Sequence, residues 1–339
     1  MRVMVWHVHG GWMDAFVRGG HDYLLPTRPG SGTGRGGTGE PWPSGVREVS
    51  DAEPWAEDVD VVVLQRPEEI AEVERLLGRS PGRDIPAIFV EHNTPKGAVP
   101  NERHPLGDRG DIPIAHVTHF NRLMWDSGDA RTLVIEHGIR DPGLLYRGER
   151  PHLATVVNEP VRRWRVTGTD LLAQFAEAAP IEAYGIATEL LPEATGLGED
   201  RLILGGNLPT RRLHGELALS RVYLHPLRWT SLGLSLLEAM HLGMPVVVLD
   251  TTEAARAVPP EAGAISSDVD ALVREARRLI EDPDEARARG RVAREVALER
   301  YGLARFLQDW DDALDDVVGG RTPAGSAMPQ SRLKERVTP

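Results

Sequence analysis

RVYLHPLRWTSLGLSLLEAMHLGMPVVVLD, residues 221–250, decides the fold. It opens on an apolar run, Val222-Tyr223-Leu224, that ends at His225-Pro226. A glycine-containing loop follows, from Trp229 to Leu234. Residues 235–242 read as a helix, with Leu236, Leu237, Ala239 and Met240 supplying an apolar side. Gly243 stops it, Pro245 prevents its continuation, and Val246-Val247-Val248-Leu249 is a strand buried on both faces. Strand, glycine loop, helix, strand is a βαβ unit. Its loop and helix start lie at the carboxyl edge of the sheet, where phosphorylated ligands bind in such folds. Glu238, one turn into the helix, is the one acid on a stretch otherwise apolar or small. A carboxylate there is expensive to bury without a partner, and a pair of sugar hydroxyls suits it.

The same alternation extends outward in both directions. Strands are expected at 2–8, 21–25, 59–64, 85–90, 114–118 and 132–135, then at 153–157, 181–186 and 201–205. Helices are expected between them, at 12–17, 67–77, 121–127, 170–177 and 213–218. After the central stretch come a helix at 269–282, a pair of Arg/Glu-rich helices over 284–301, and a last helix at 303–318. In that last helix Phe306, Trp310 and Leu314 stand four apart on one stripe. Strands and helices alternating on short links argue for parallel, doubly wound sheets in two halves. The linker is placed around residues 143–151. That gives a first domain over 1–146 and a second over 147–302. Residues 27–45, rich in Gly, Pro, Ser and Thr, read as a mobile loop, and 319–339 as a disordered tail. Gly32, Gly34 and Gly37 form a formal G-x-G-x-x-G, but no strand precedes it closely and no helix follows, so it is not read as a dinucleotide site.

Composition narrows the function. A chain of 339 residues, 41% hydrophobic, has enough for two cores. Its net charge of −12 argues against nucleic acid or an anionic membrane as the main partner. There is no cysteine, hence no disulfide framework and no thiol chemistry. Nothing resembles a signal peptide and no apolar run approaches a membrane span, so a cytoplasmic location is expected. Lysine occurs only at 96 and 334, so cationic roles fall to arginine.

The central stretch resembles the donor-binding segment of GT-B glycosyltransferases of the retaining family 4 group, whose E-x7-E motif runs roughly P-S-x-x-E-G-F-G-L-x-x-L-E-A-M-A-x-G-x-P-V-V. Pro226, Gly233, Leu234, Leu237, Glu238, Ala239, Met240, Gly243, Pro245, Val246 and Val247 match in register. Thr230 stands in place of the first Glu, and Ser231-Leu232 in place of Gly-Phe. The resemblance is clearest over 201–320. It implies two Rossmann-like domains facing across a cleft, with the donor held mainly by the second and the acceptor mainly by the first. It also implies that the helix at 303–318 returns to the first domain. Glu238 would hold the ribose hydroxyls. The backbone of Ser231, Leu232, Gly233 and Leu234 would face the diphosphate or sugar, and Thr230 the transferred sugar. Arg162 and Gly168 align with the family's diphosphate Arg and Gly, while Thr167 replaces its Lys. Arg165, with Arg163 between them, is near enough to supply the missing charge. Asn207 and Leu208 would present backbone groups to the base, Gly10 and Gly11 would close over the diphosphate, and His92, with Lys96 nearby, would meet a substrate hydroxyl.

Each residue also has an ordinary reading. Glu238 is then a first-turn acid favoured by the helix dipole, the arginines a solvated basic loop, and the glycines tight turns. Asn207-Leu208 is then a polar turn and His92 a turn histidine. Neither His7 with His9 nor His116 with His119 is read as a metal site, because no third ligand stands at useful spacing. Asp58-Val59-Asp60 precedes a buried strand and is read as a pair of loop acids. The reading is a retaining, metal-independent transferase needing no cofactor besides its nucleotide-sugar substrate, with a small-molecule or glycan acceptor. Two alternatives share the fold. One is a non-catalytic binding or regulatory protein, since Thr230 and Thr167 replace the family Glu and Lys. The other, disfavoured by the motif match, is a nucleotide-sugar epimerase.

Overall fold

The computed structural model describes residues 1–31, 34 and 39–320. The chain divides into two compact units, Met1–Gly138 with Leu303 onward, and Ile139–Gly302. The division falls after Gly138, not after residue 146.

The first unit carries a seven-stranded sheet: β1 (Arg2–Val5), β2 (Asp22–Thr27), β3 (Val46–Ser50), β4 (Val61–Leu64), β5 (Ala87–Glu91), β6 (Ile114–His116) and β7 (Thr132–Val134). Their order is β3-β2-β1-β4-β5-β6-β7 and every pair is parallel. The order reverses between β1 and β4, in register Val3↔Val61. The second unit carries β8 (Arg150–Val156), β9 (Ile181–Tyr184), β10 (Leu202–Gly206), β11 (Ser220–His225), β12 (Val246–Leu249) and β13 (Gly263–Ser266). Their order is β10-β9-β8-β11-β12-β13, again all parallel, reversing between β8 and β11.

Central strands such as VVVL of β4 and of β12 are buried throughout, as a sheet covered on both faces requires. Each such Val or Leu contributes about 1.5–3 kcal/mol of transfer free energy. Helix Leu303–Val318 lies in the first unit, where Phe306, Trp310, Ala313 and Leu314 join Trp12, Phe16 and Val61 in one core. The Trp12 and Trp310 rings meet edge to face, 5.6 Å between centroids.

Several expectations are corrected. The helices expected as a pair over 284–301 are one helix, Pro283–Tyr301, capped by Asp282, whose carboxylate accepts from the amides of Asp284 and Glu285. Gly290 does not break it. A Cβ at Gly290 would stand 2.0 Å from the Gly243 carbonyl oxygen, so the glycine is where this helix passes the end of helix Leu234–Leu242. The expected turn at Gly10-Gly11 is the first turn of helix Gly10–Phe16, closed by Met13 N–H donating to the His9 carbonyl. β3, β13 and the short helix Pro160–Arg163 were not foreseen. β3 is an edge strand with a half-exposed pattern that follows a low-complexity run, so little in its composition marks it. Of the segment read as a mobile loop, residues 32, 33 and 35–38, with Gly32 and Gly37 of the formal glycine motif, lie outside the described residues. So does the tail expected at 319–339, apart from Gly319 and Gly320.

Candidate functional site

In a parallel sheet every strand delivers its following loop to the same edge, and ligands bind where the strand order reverses. In the second unit that place is flanked by the loops after β8 and β11. The first holds Arg162, Arg163, Arg165, Thr167 and Gly168; the second holds Thr230, Ser231, Leu232 and Gly233. Asn207 and Leu208 follow β10 on the same edge, Asn207 exposed and Leu208 packed against the core.

The two flanking loops are stitched together. Arg228 and Trp229 donate their backbone N–H groups to the Val166 carbonyl at 2.9 and 3.4 Å. The Arg228 guanidinium spans the Arg165 carbonyl and the Asp170 carboxylate. Gly168 has φ +71, and a Cβ there would lie 2.0 Å from the Pro226 carbonyl oxygen, so conformation and space both require glycine. Thr167 is buried. Its hydroxyl bonds Pro160 O, Trp164 O and Thr169 Oγ1, holding the loop shape and leaving no group for a ligand.

The arginines are differently employed. Arg162 is exposed and forked onto Glu159. Arg165 is exposed and paired with Asp170 at 3.0 Å. Arg163 is half-buried and forms no ion pair or side-chain hydrogen bond among the described residues. Burial, then the neighbouring Arg162 charge, shifts its pKa downward. The nearby anion that opposes this shift is Glu159, whose carboxylate is already forked onto Arg162, so the desolvation is only partly offset.

Helix Leu234–Leu242 starts at Gly233, in extended conformation and with no side chain capping it. A Cβ on Gly233 would meet the His225 ring at 2.5 Å. His225 is buried beneath, and burial lowers its pKa to about 4. Tyr223 donates its hydroxyl to Ser235 Oγ at 2.8 Å, tying β11 to the first helical turn. The leading amides of such a helix start have no partner within the helix. Ser231 and Leu232 are buried and Thr230 is half-buried. Glu238 is half-buried, 3.7 Å from His214 Nε2, near enough for a charge interaction but too far for a hydrogen bond. That imidazole nitrogen is itself buried and without a hydrogen-bond partner. His214, on helix Thr210–Leu217, went unnoticed in the sequence; its one signal is a histidine on the helix just before β11.

Backbone strain gathers at the same edge. Among the described residues four non-glycine residues have positive φ: Glu159, Trp164, Ala187 and Thr252. The first two follow β8, the third follows β9 and the fourth follows β12. Such conformations cost about 1–3 kcal/mol each and collect at functional sites.

In the first unit the order reverses between β1 and β4. His9 follows β1, Gln65 follows β4 and His92 follows β5. His92 is buried, its ring centroid 4.0 Å from that of His9 and 5.2 Å from that of Trp12. Burial first, then the His9 and His137 rings, hold its pKa well below the usual imidazole range. Gly10 and Gly11 follow His9 at the start of helix Gly10–Phe16. Among the described residues no group of three or more His, Asp or Glu is arranged to hold a metal ion.

Comparison with known proteins defines the fold. The fold is that of the GT-B glycosyltransferases: sucrose-phosphate synthase from Thermosynechococcus elongatus superposes with a TM-score of 0.71 over 94% of this chain and 100% of its own, at 14% identity. Anabaena HepE, solved with UDP and with UDP and glucose, gives 0.67 at 13% identity over 93% and 100%. Staphylococcus aureus TarM gives 0.61 at 15% identity over 75% of this chain and 55% of its own, so the chain spans about half of TarM's length. Within that fold, residues 173–282 match the family described as Glycosyl transferases group 1. No curated protein matches the chain. No helix among the described residues is long and apolar enough to cross a membrane.

Proposed function

We propose that this chain is a glycosyltransferase whose second unit binds a nucleoside diphosphate sugar and whose first unit supplies the acceptor side, with a small-molecule or glycan hydroxyl as acceptor. The observation that carries the reading is the company at one sheet edge. A half-buried guanidinium without a partner (Arg163), an uncapped helix start (Gly233) and a half-buried carboxylate (Glu238) surround the reversal between β8 and β11. A nucleoside diphosphate carries the complements: a diphosphate for the first two, ribose hydroxyls for the third. Arg163 takes the diphosphate role that the resemblance gives to Arg162 and Arg165, since those two already have carboxylate partners in Glu159 and Asp170, the latter shared with Arg228.

Fixed positive groups where the leaving diphosphate gathers charge stabilise its departure, and the acceptor attacks from the face the diphosphate leaves. The rest is positioning. Retention of configuration and independence from metal ions belong to this proposal. UDP, the nucleotide in the Anabaena structure, is the first donor nucleotide to test.

Calorimetry with UDP, GDP, ADP and TDP tests the reading. Micromolar binding of one nucleotide is expected, weakened at least tenfold by Glu238→Ala and by Arg163→Ala. No binding by any of the four sinks it. One observation favours the non-catalytic alternative: Thr167 is consumed in holding its own loop and Thr230 brings no charge. Binding without release of nucleotide from any sugar donor, across a panel of acceptors, would select it.

A further inference from the structure

In the first unit, Gln65 sits at the reversal of strand order, with its side chain against the His92 ring. Its amide is oriented without ambiguity. Gln65 Nε2 lies 2.6 Å from the Trp6 carbonyl and 3.9 Å from Met13 Sδ, both of which can only accept. The amide nitrogen therefore points to them and the amide oxygen points the other way. That oxygen lies 3.0 Å from His92 Nε2. An amide oxygen only accepts, so Nε2 carries the proton and donates. In a neutral imidazole the other nitrogen, Nδ1, is then a bare lone pair. No hydrogen bond among the described residues occupies Nδ1, and His92 as a whole keeps 8% of its surface exposed.

The backbone of Gln65 is held in turn. Its N–H donates to Glu69 Oε2 at 2.7 Å, and Glu69, fully buried at the start of helix Glu69–Leu77, also takes Arg66 N–H and the Arg66 guanidinium. Burial and the neighbouring His9 and His137 rings keep His92 neutral, so the tautomer and not a charge sets its chemistry.

We propose that Gln65 is a positioning residue that locks His92 as the Nε2–H tautomer, so that His92 meets a substrate hydroxyl as a hydrogen-bond acceptor through Nδ1. This rests on the transferase reading for the substrate but not for the tautomer. It also separates two roles that the sequence left open, polarising a hydroxyl and donating to one, in favour of the first.

The test is a two-bond proton–nitrogen correlation spectrum of protein labelled with nitrogen-15 histidine, at pH 7.5. The wild type is expected to show the Nε2–H pattern for His92, assigned by its loss in His92→Ala. In Gln65→Met, a side chain of similar length with no oxygen, the preference is expected to collapse into a mixture. Adding UDP with glucose, or UDP-glucose, is expected to move the Nδ1 resonance where UDP alone does not; which addition acts says whether the hydroxyl comes from acceptor or donor sugar. An Nδ1–H pattern in the wild type overturns the proposal without any variant, and so does an unchanged tautomer in a folded Gln65→Met. An Nδ1 resonance unmoved while UDP-glucose is bound overturns the substrate contact. Absence of all nucleotide binding instead fails the transferase reading, and the tautomer result then stands apart from it.

Discussion

Gly168 shows how much a site can depend on a missing side chain. Its φ of +71 and the Pro226 carbonyl 2.0 Å from a Cβ act together, so even alanine forces the two flanking loops apart. Gly168→Ala is expected to cost about 2 kcal/mol or more and to weaken nucleotide binding more than tenfold. A thermal midpoint beside a calorimetric titration would check both; an unchanged midpoint would contradict the packing argument. The glycine was legible in sequence because its spacing within the loop matches a known pattern. The allocation of charge among Arg162, Arg163 and Arg165 was not. It depends on Glu159 sitting in the left-handed region, which turns its carboxylate onto Arg162, and on Asp170 reaching both Arg165 and Arg228. No spacing rule encodes those choices. His214 escaped for a similar reason: its place beside Glu238 is set by packing between two helices.

Among the elements, helix Pro283–Tyr301 sets two principles against each other at Gly290. Helix propensity says that alanine there should stabilise by about 0.8–1 kcal/mol. Packing says that its Cβ would press on the Gly243 carbonyl at 2.0 Å and on the Met244 carbonyl carbon at 3.2 Å. Backbone does not yield as a side chain does, so overpacking at about 1–3 kcal/mol wins. Gly290→Ala is expected to lower the unfolding midpoint in urea; a rise would show that helix propensity prevails. The pattern of strands was readable because parallel strands buried on both faces are unbroken apolar runs, as in β4 and β12. β3 was hidden because an edge strand needs no such run. The pair expected over 284–301 is one helix, in which Gly290 admits a neighbouring helix and does not end its own.

At the scale of the whole molecule, buried neutral histidines set the acid limit. Burial holds His116 at about 3 and His137 and His225 at about 4, against 6.5 for a free imidazole. Well above pH 6.5 neither folded nor unfolded chain protonates these rings, and they leave stability unchanged. Below it the unfolded chain takes up protons that the folded chain refuses, so stability falls until the folded values are reached. Carboxylates held low by arginines, such as Asp111 and Asp141, lose their contribution only at still lower pH. Urea midpoints are therefore expected to hold from pH 8 to 7 and to drop steeply between 6 and 4.5. His137→Asn should flatten that drop by about one proton. A midpoint independent of pH over that range would refute the assignment. The strained residues at the edge of the second unit have a different bearing, on how this chain can be improved. Ala187, at φ +61, rests in a conformation that glycine adopts freely. Ala187→Gly is expected to relax it and to narrow the gap between the protein's actual and attainable robustness, at the expense of a stiff turn after β9. A laboratory selection for heat resistance alone would then drift toward glycine at such positions and trade a fixed loop shape for durability.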